Sequence, residues 1–254
     1  MRNVHKRISV GIAIAALGTM LVSTSWAKKD DCESVTTMSF PAAKMIIEYN
    51  STAEDVGVQF FLDAEEWRSV RILDPDGLLA FRASAKGALL EQGGGTELFL
   101  ESVEPELTDL PLSEFFERFP EGEYRFTGRT PDCEKLVSDV TFTHDIPAGP
   151  EIVAPGSGGE SCGADTAIPA VVQWETVTMS IDDTPINVVR YEVIVEEDVE
   201  DAPRVFDVFL GADATQVVVP AEFLEAGTDY VFEVLAIEEG GNQTISEGCF
   251  TTAE

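Results

Sequence analysis

The most informative part of this sequence reads Leu224-Glu225-Ala226-Gly227-Thr228-Asp229-Tyr230-Val231-Phe232-Glu233-Val234-Leu235-Ala236. A leucine and a short turn precede Tyr230, and every second residue from Tyr230 to Ala236 is aromatic or apolar, as in a strand with one buried face. A tyrosine at this place predicts a tyrosine corner, in which the ring enters the core of a β-sandwich and the hydroxyl bonds to the backbone just upstream. We therefore predict that Leu224 and Tyr230 form a structural corner.

Two further landmarks precede this corner in the chain. Trp174 ends an apolar segment in the core phase, and Tyr191 begins an alternating segment in which Val193 follows on the same face. Together with the pattern Leu224-x-Ala226-x-Thr228-x-Tyr230, this order of landmarks resembles a fibronectin type III domain. The resemblance implies a sandwich fold for the second half of the chain, with Trp174 and Tyr191 in its core.

The first half of the chain alternates short apolar strands with turns. The turn Asp74-Pro75-Asp76-Gly77 has proline early and glycine late, and residues 111–119 place four apolar side chains on one helical face. No motif fixes a family, and this half resembles a generic immunoglobulin-like sandwich. The fold class predicted for the chain is therefore all-β, with two β-sandwich domains, immunoglobulin-like and then fibronectin type III-like, and one short helix in the first.

The N-terminal 27 residues have the composition of a signal peptide. A basic start is followed by the apolar run Ile8–Val22, and Ser25-Trp26-Ala27 offers small residues where a signal peptidase cleaves. An uncleaved membrane anchor is the alternative, but the run falls short of the ~20 residues that span a bilayer. We predict a signal peptide at 1–27, domains at 28–147 and 148–254, and a secreted or periplasmic protein with no membrane span after cleavage.

The charge of the chain is strongly negative. The formal net charge is −31, and loss of residues 1–27, which carry three Lys/Arg and no Asp/Glu, takes it to −34. A surface of this sign repels nucleic acid and anionic lipid, so we expect neither as a partner. The acids are spread along the chain and the apolar fraction is ordinary, which indicates a folded protein with an acidic surface.

All four cysteines follow the predicted cleavage site: Cys32, Cys133, Cys162 and Cys249. An even number in an exported chain predicts disulfides. Three pairings are open; if each domain closes on itself, the pairs are Cys32–Cys133 and Cys162–Cys249. Their spacing is too wide for a zinc site of the CxxC type.

Catalytic groups are scarce in this sequence. After the signal peptide His144 is the only histidine, and it is in phase with a strand, so we interpret it as a packing residue. Oxidised cysteines provide no thiol nucleophile, and no Gly-rich loop precedes a helix. We therefore predict no enzyme, no catalytic residue, no cofactor and no metal.

Two acidic loops, at 74–77 and 196–201, are candidate calcium sites, but neither has EF-hand spacing, and a turn and a solvated connection are the simpler interpretations. Asn50-Ser51-Thr52 and Asn242-Gln243-Thr244 match the N-glycosylation pattern, which matters only in a eukaryotic secretory route.

The function predicted from these observations is a non-enzymatic, exported binding or scaffold protein, with an unknown protein or glycan partner. A carbohydrate-binding accessory module is the first alternative; it would need a row of exposed aromatics, and Trp67 is the one tryptophan outside the signal and the core strand. A carboxylate-dependent hydrolase is the second, and it would need two acids across a cleft.

Overall fold

A computed structural model describes residues 36–156, 162–199 and 203–254 of the chain. Sixteen strands and two short helices are assigned within these ranges. In chain order they are β1 Thr37–Met38, β2 Ala42–Asn50, β3 Asp55–Trp67, β4 Ser69–Leu73, β5 Leu79–Ser84, α1 Ala88–Gln92, β6 Gly95–Glu101, α2 Leu112–Arg118, β7 Gly122–Arg129, β8 Lys135–Phe142, β9 Ile152–Ala154, β10 Gly163–Thr166, β11 Ala170–Trp174, β12 Val188–Glu197, β13 Val205–Gly211, β14 Gln216–Val219, β15 Asp229–Glu238 and β16 Gln243–Thr252.

The strands form three sheets around two main hydrophobic cores, and a small third apolar cluster lies on the largest sheet. A five-stranded sheet has the order β1-β8-β7-β4-β5, and a three-stranded sheet has the order β14-β11-β9. The largest sheet has the order β13-β12-β15-β16-β2-β3-β6, with β10 also paired to β16. One core contains apolar residues between Phe40 and Ile146, and the other contains apolar residues between Ile152 and Phe250.

The predicted all-β sandwich fold is confirmed. In the N-terminal half, β2, β3 and β6 cover one side of the first core, and the five-stranded sheet covers the other. In the C-terminal half, β13-β12-β15-β16 faces β14-β11-β9 across the second core, an arrangement shared by immunoglobulin-like and fibronectin type III domains. The boundary predicted between residues 147 and 148 remains a proposal, because Ser34–Glu254 form one compact unit.

Two helices interrupt the strands, where the sequence predicted one. The predicted segment forms α2, and Phe115 on its inner face is buried against Phe116 and Phe119. The second helix, α1, has no buried residue, so no apolar periodicity marked it in the sequence. Helices this short depend on the surrounding chain for their stability.

The tyrosine corner has the expected geometry. The Tyr230 ring is fully buried beside Phe250, and its hydroxyl accepts a hydrogen bond from the backbone N–H of Glu225 at 2.9 Å. Leu224, at the start of the corner, is also buried. The hydroxyl thus satisfies a backbone donor in the turn that leads into β15.

We expect Tyr230→Phe to lower the free energy of unfolding by ~1–2 kcal/mol, because the Glu225 N–H loses its acceptor inside the protein. Urea unfolding followed by circular dichroism measures this difference. Tyr124→Phe is the matched control: the Tyr124 hydroxyl is buried, and no described residue bonds to it, so removing it leaves stability unchanged or raises it. Equal losses in the two variants would contradict a role for the Tyr230 hydroxyl.

Candidate functional site

The two halves of the chain meet along a strand pairing. Strand β16 of the C-terminal half runs parallel to β2 of the N-terminal half, with Gln243 opposite Glu48 and Ile245 opposite Asn50. The pairing continues past the end of β2, where the Ser51 N–H donates to Ile245 O at 2.9 Å. One sheet therefore runs without a break from the edge strand of one sandwich to the edge strand of the other.

A buried amide fixes this junction. The Asn242 side chain is 3% exposed; its Oδ1 accepts from the Ile47 N–H at 2.8 Å, and its Nδ2 donates to Thr143 O at 3.1 Å and Asp145 O at 3.0 Å. Nearby, the Thr244 hydroxyl donates to Pro147 O at 2.6 Å. A single side chain of the C-terminal half thus satisfies backbone groups from two segments of the N-terminal half.

The loop that carries Asn242 is also fixed by hydrogen bonds to Glu238. The Glu238 carboxylate, 3% exposed, accepts from the Gly240 N–H at 2.6 Å and from the Asn242 N–H at 2.8 Å. The glycosylation pattern at Asn242 therefore falls on an amide that is buried and fully occupied. At Asn50, the other match, Nδ2 donates to Glu247 Oε1 at 2.6 Å.

The continuous sheet also gathers carboxylates on its outer face. Carboxylate oxygens of Glu48, Glu101 and Glu104 all lie within 4.8 Å of one another, and we call these three residues the carboxylate cluster. Gly57 stands opposite Glu48 on β3, and a Cβ there would come within 2.7 Å of Glu104 Cγ, so glycine leaves the room through which Glu104 reaches Glu48. From the other half, Gln243 Nε2 donates a hydrogen bond to Glu48 Oε2.

Burial dominates the electrostatics of the cluster. Glu48 is 8% exposed, and burial, with the charges of Glu104 and Glu101, raises its pKa to about 8 although the Gln243 hydrogen bond acts in the opposite direction. Burial also raises the pKa of Glu104. On β15, which β16 separates from β2, burial and then the charge of Glu247 raise the pKa of Glu233 to about 7.

The carboxylate cluster has two ways to relieve its charge repulsion. The ion pairs among the described residues all involve Arg118, Arg125 or Arg204, so none reaches the cluster. Three converging carboxylates can share a proton, and carboxylate oxygens are also the ligands that hard divalent cations prefer. The raised pKa of Glu48 favours the first state near neutral pH, with Glu48 holding the proton.

The two acidic loops that are candidate calcium sites make structural contacts. Asp74 Oδ1 accepts from the Leu78 N–H at 2.7 Å, which closes the expected turn. In the segment 196–201, Glu197 pairs with Arg204, and residues 200 and 201 lie outside the described part of the chain. The carboxylate cluster was not predicted from the sequence, because it joins Glu48 on β2 to Glu101 at the end of β6 and to Glu104 in the segment after β6, and no sequence motif links these positions.

The predicted disulfides divide between described and undescribed residues. Cys162 and Cys249 are joined by a disulfide that ties the start of β10 to β16. Cys133 is also disulfide-bonded, and Cys32, its predicted partner, lies outside the described residues.

The remaining predicted residues are placed in cores. Trp174 is 1% exposed and packs on the buried Tyr191 ring at 5.3 Å between centroids. The Tyr191 hydroxyl accepts from the Val177 N–H at 2.8 Å. His144 stacks on Phe116 at 4.0 Å, and its Nε2 lies 2.8 Å from Phe119 O, so it packs the end of α2 against β8.

Comparisons with known proteins give similarity of fold only. No protein-family model matches this chain, and no curated protein sequence matches it. Among solved structures, the chicken CNTN1 FN1-FN3 domains are similar at 10% identity and a TM-score of 0.33, over 87% of this chain and 66% of that one. A two-domain fibronectin type III segment from chicken tenascin is similar at 12% identity and a TM-score of 0.29, over 83% of this chain and 99% of that one.

The native conformation of E. coli alpha-2-macroglobulin is similar at 11% identity and a TM-score of 0.28, over 85% of this chain and 14% of that one. This chain thus spans less than two thirds of the CNTN1 and macroglobulin structures. The fibronectin type III-like fold of the C-terminal half rests on its strand order and its tyrosine corner.

We expect the Glu48→Gln variant to change how stability depends on pH. With its pKa raised to about 8, Glu48 keeps a proton in the folded state that it releases on unfolding above its ordinary value near 4.5. The free energy of unfolding therefore falls as pH rises between these values, by at most about 1.4 kcal/mol per pH unit for this group. Glutamine removes this contribution and keeps an oxygen that accepts from Gln243, so the variant gains stability over the wild type as pH rises.

Urea unfolding at pH 5, 6, 7 and 8 measures the two slopes. Glu117→Gln is the control, since Glu117 is exposed on α2. A Glu48→Gln slope that matches both the wild type and the control would show that Glu48 is already ionised in the folded protein.

Proposed function

We propose that this protein is a non-enzymatic, exported binding or scaffold protein that acts in the periplasm or outside the cell. The observation that carries the proposal is the junction, because the Asn242 hydrogen bonds and the β16–β2 pairing hold two sandwiches in one fixed arrangement. Fixed neighbouring sandwiches present loops and sheet faces at constant separation, which suits a protein that joins partners. We infer that the domains span residues 28–147 and 148–254.

Export is supported by several independent features. The predicted signal peptide precedes a chain with a disulfide between Cys162 and Cys249, a bond typical of oxidising compartments. Across the described ranges, neither helix has the length and apolarity needed to cross a bilayer.

The two alternatives predicted from the sequence need a row of exposed aromatic rings or two carboxyl groups across a cleft. Trp67 is 6% exposed and Trp174 is 1% exposed, so neither contributes to an exposed aromatic platform. The carboxylate cluster converges on a single point, whereas a glycoside hydrolase places two carboxyl groups on opposite sides of the scissile bond.

A test of the function uses the Asn242→Ala variant. This change leaves the Ile47 N–H and the Thr143 and Asp145 carbonyls without their buried partner, and we expect it to cost about 2–4 kcal/mol of stability. The tagged mature protein is used to capture partners from the extracytoplasmic fraction at low and moderate salt. We expect the wild type to retain partners, and the variant, while still folded by circular dichroism, to lose those that contact both halves.

Asn187→Ala is the control for this experiment. It removes the same amide from an exposed position, where Asn187 bonds only to Glu239. Failure of the wild type to retain any partner would overturn the binding function, and equal capture by wild type and Asn242→Ala would overturn the importance of the fixed junction.

Export gives a separate prediction. When the full chain is expressed with a C-terminal tag in a bacterial host, we expect the mature protein to begin at Lys28, and Ala27→Arg to block cleavage, because signal peptidase needs a small residue there. N-terminal sequencing and cell fractionation measure both results. The control is Arg2→Lys, which keeps the basic start. A distant substitution such as Gly149→Arg is unsuitable, because a Cβ at Gly149 would collide with Ser51.

A further inference from the structure

The cations of this acidic protein are concentrated on one sheet face. Of the eleven Lys and Arg residues in the described part of the chain, five project from the outer face of the five-stranded sheet: Arg71, Arg82, Arg125, Arg129 and Lys135. Their orientation follows from strand alternation, since Val70, Ile72, Tyr124, Phe126 and Leu136 between them point into the core. The face is therefore basic although the chain carries a net charge of −31.

Four of these side chains form a line across four neighbouring strands. We call these four residues the basic stripe: Lys135 on β8, Arg129 on β7, Arg71 on β4 and Arg82 on β5. Lys135 is directly opposite Arg129, and Arg71 is directly opposite Arg82. Arg129 and Arg71 are linked diagonally, because Arg129 is opposite Ser69, two residues before Arg71. With strands about 4.8 Å apart, the stripe is roughly 14 Å long and one side chain wide.

Most of the stripe has its charge free for a ligand. Arg71, Arg82 and Lys135 make no ion pair or side-chain hydrogen bond with any described residue, and Arg129 donates only to the Cys133 carbonyl, at 3.0 Å. Like charges directly opposite on neighbouring strands destabilise a sheet. The stripe contains two such pairs side by side, in a chain with 47 acids and 16 bases, so the arrangement is unfavourable until an anion neutralises it.

The surface between these cations is shaped to receive an anionic group. A shallow depression is lined by Arg71, Arg129 and Lys135 together with the hydroxyl-bearing Ser69 and Thr127. Two acids, Glu123 and Asp139, project from the strands of this face, at the end away from the depression. Asp139 forms an ion pair with Arg125 at 2.8 Å. Guanidinium groups match the two oxygens of a carboxylate, and the hydroxyls add donors.

We propose that the basic stripe binds a linear acidic polysaccharide through the carboxylates of successive uronic acid units, one of which enters the depression. The inference rests on the proposed function of a binding protein and names its ligand. A thin polymer contacts the stripe alone, whereas a duplex or a membrane would also extend over Glu123 and Asp139 at the other end of this face. A second copy of this chain would have to bury roughly 800 Å² per partner for a stable contact, far more than a stripe one side chain wide offers.

The test measures binding of the mature protein to hexagalacturonate by isothermal titration calorimetry at 50 mM salt, with a neutral hexasaccharide as the comparison ligand. The Arg71→Gln/Lys135→Gln variant is expected to lose at least tenfold in affinity. The matched control is Lys44→Gln/Arg190→Gln, which removes the same charge from the outer face of the largest sheet and is expected to bind like the wild type. All four residues are exposed, so both variants keep the fold, which thermal unfolding checks.

Three results would overturn the proposal that the stripe binds this ligand: no binding of hexagalacturonate by the wild type, an equal loss of affinity in the two double variants, or equal binding of the neutral sugar. Sedimentation that shows self-association of the wild type but not of the stripe variant would assign the stripe to a second copy instead. Binding failure with retention of protein partners leaves the proposed function intact. Release of new reducing ends from bound hexagalacturonate would overturn the non-enzymatic function while supporting the stripe.

Discussion

The structure depends on the buried amide of Asn242. Its two side-chain heteroatoms satisfy the buried Ile47 N–H and two partly buried carbonyls, of Thr143 and Asp145, at the edge of the first sandwich. An unsatisfied buried backbone group costs about 1–3 kcal/mol, so this contact is strong for one uncharged residue. Because it holds the start of β16 against β2, the sheets of the two halves become one, and surfaces from both halves share one face.

The shared sheet places residues of the C-terminal half beside the carboxylate cluster. Glu48, Glu101 and Glu104 belong to the N-terminal half, but Gln243 and Glu233 reach the same face from the C-terminal half only because β16 adjoins β2. Burial opposes ionisation of Glu48 beside the charges of the more exposed Glu101 and Glu104. Retention of a proton by Glu48 resolves the conflict, and it makes the junction sensitive to pH at the point where the halves meet.

The parts of the fold that were predictable from sequence are those set by neighbouring residues. The Tyr230 corner, the turn at Asp74 and the face of α2 each follow from local spacing, and alternation within β4 and β7 indicates which side chains point outward. The junction was not predictable, because the Ile47–Asn242 hydrogen bond joins residues 195 positions apart. The segment around Asn242 also has the composition of an ordinary polar loop. The carboxylate cluster and the basic stripe need the order of strands in the sheets, which alternation does not supply.

The basic stripe and the acidic surface act over different distances. At physiological ionic strength the Debye length is about 8 Å, so charges beyond the stripe's immediate surroundings contribute little to a ligand in contact with it. The net charge of −31 opposes the approach of any polyanion, and the free guanidinium groups of Arg71 and Arg82 act once the ligand is in place. The same charge distribution therefore slows the association of a polyanion with the protein. It also favours ligands that are thin and carry their negative charge where they contact the stripe. Broad anionic surfaces are disfavoured, because a surface that covers the stripe also extends over Glu123 and Asp139 on the same face.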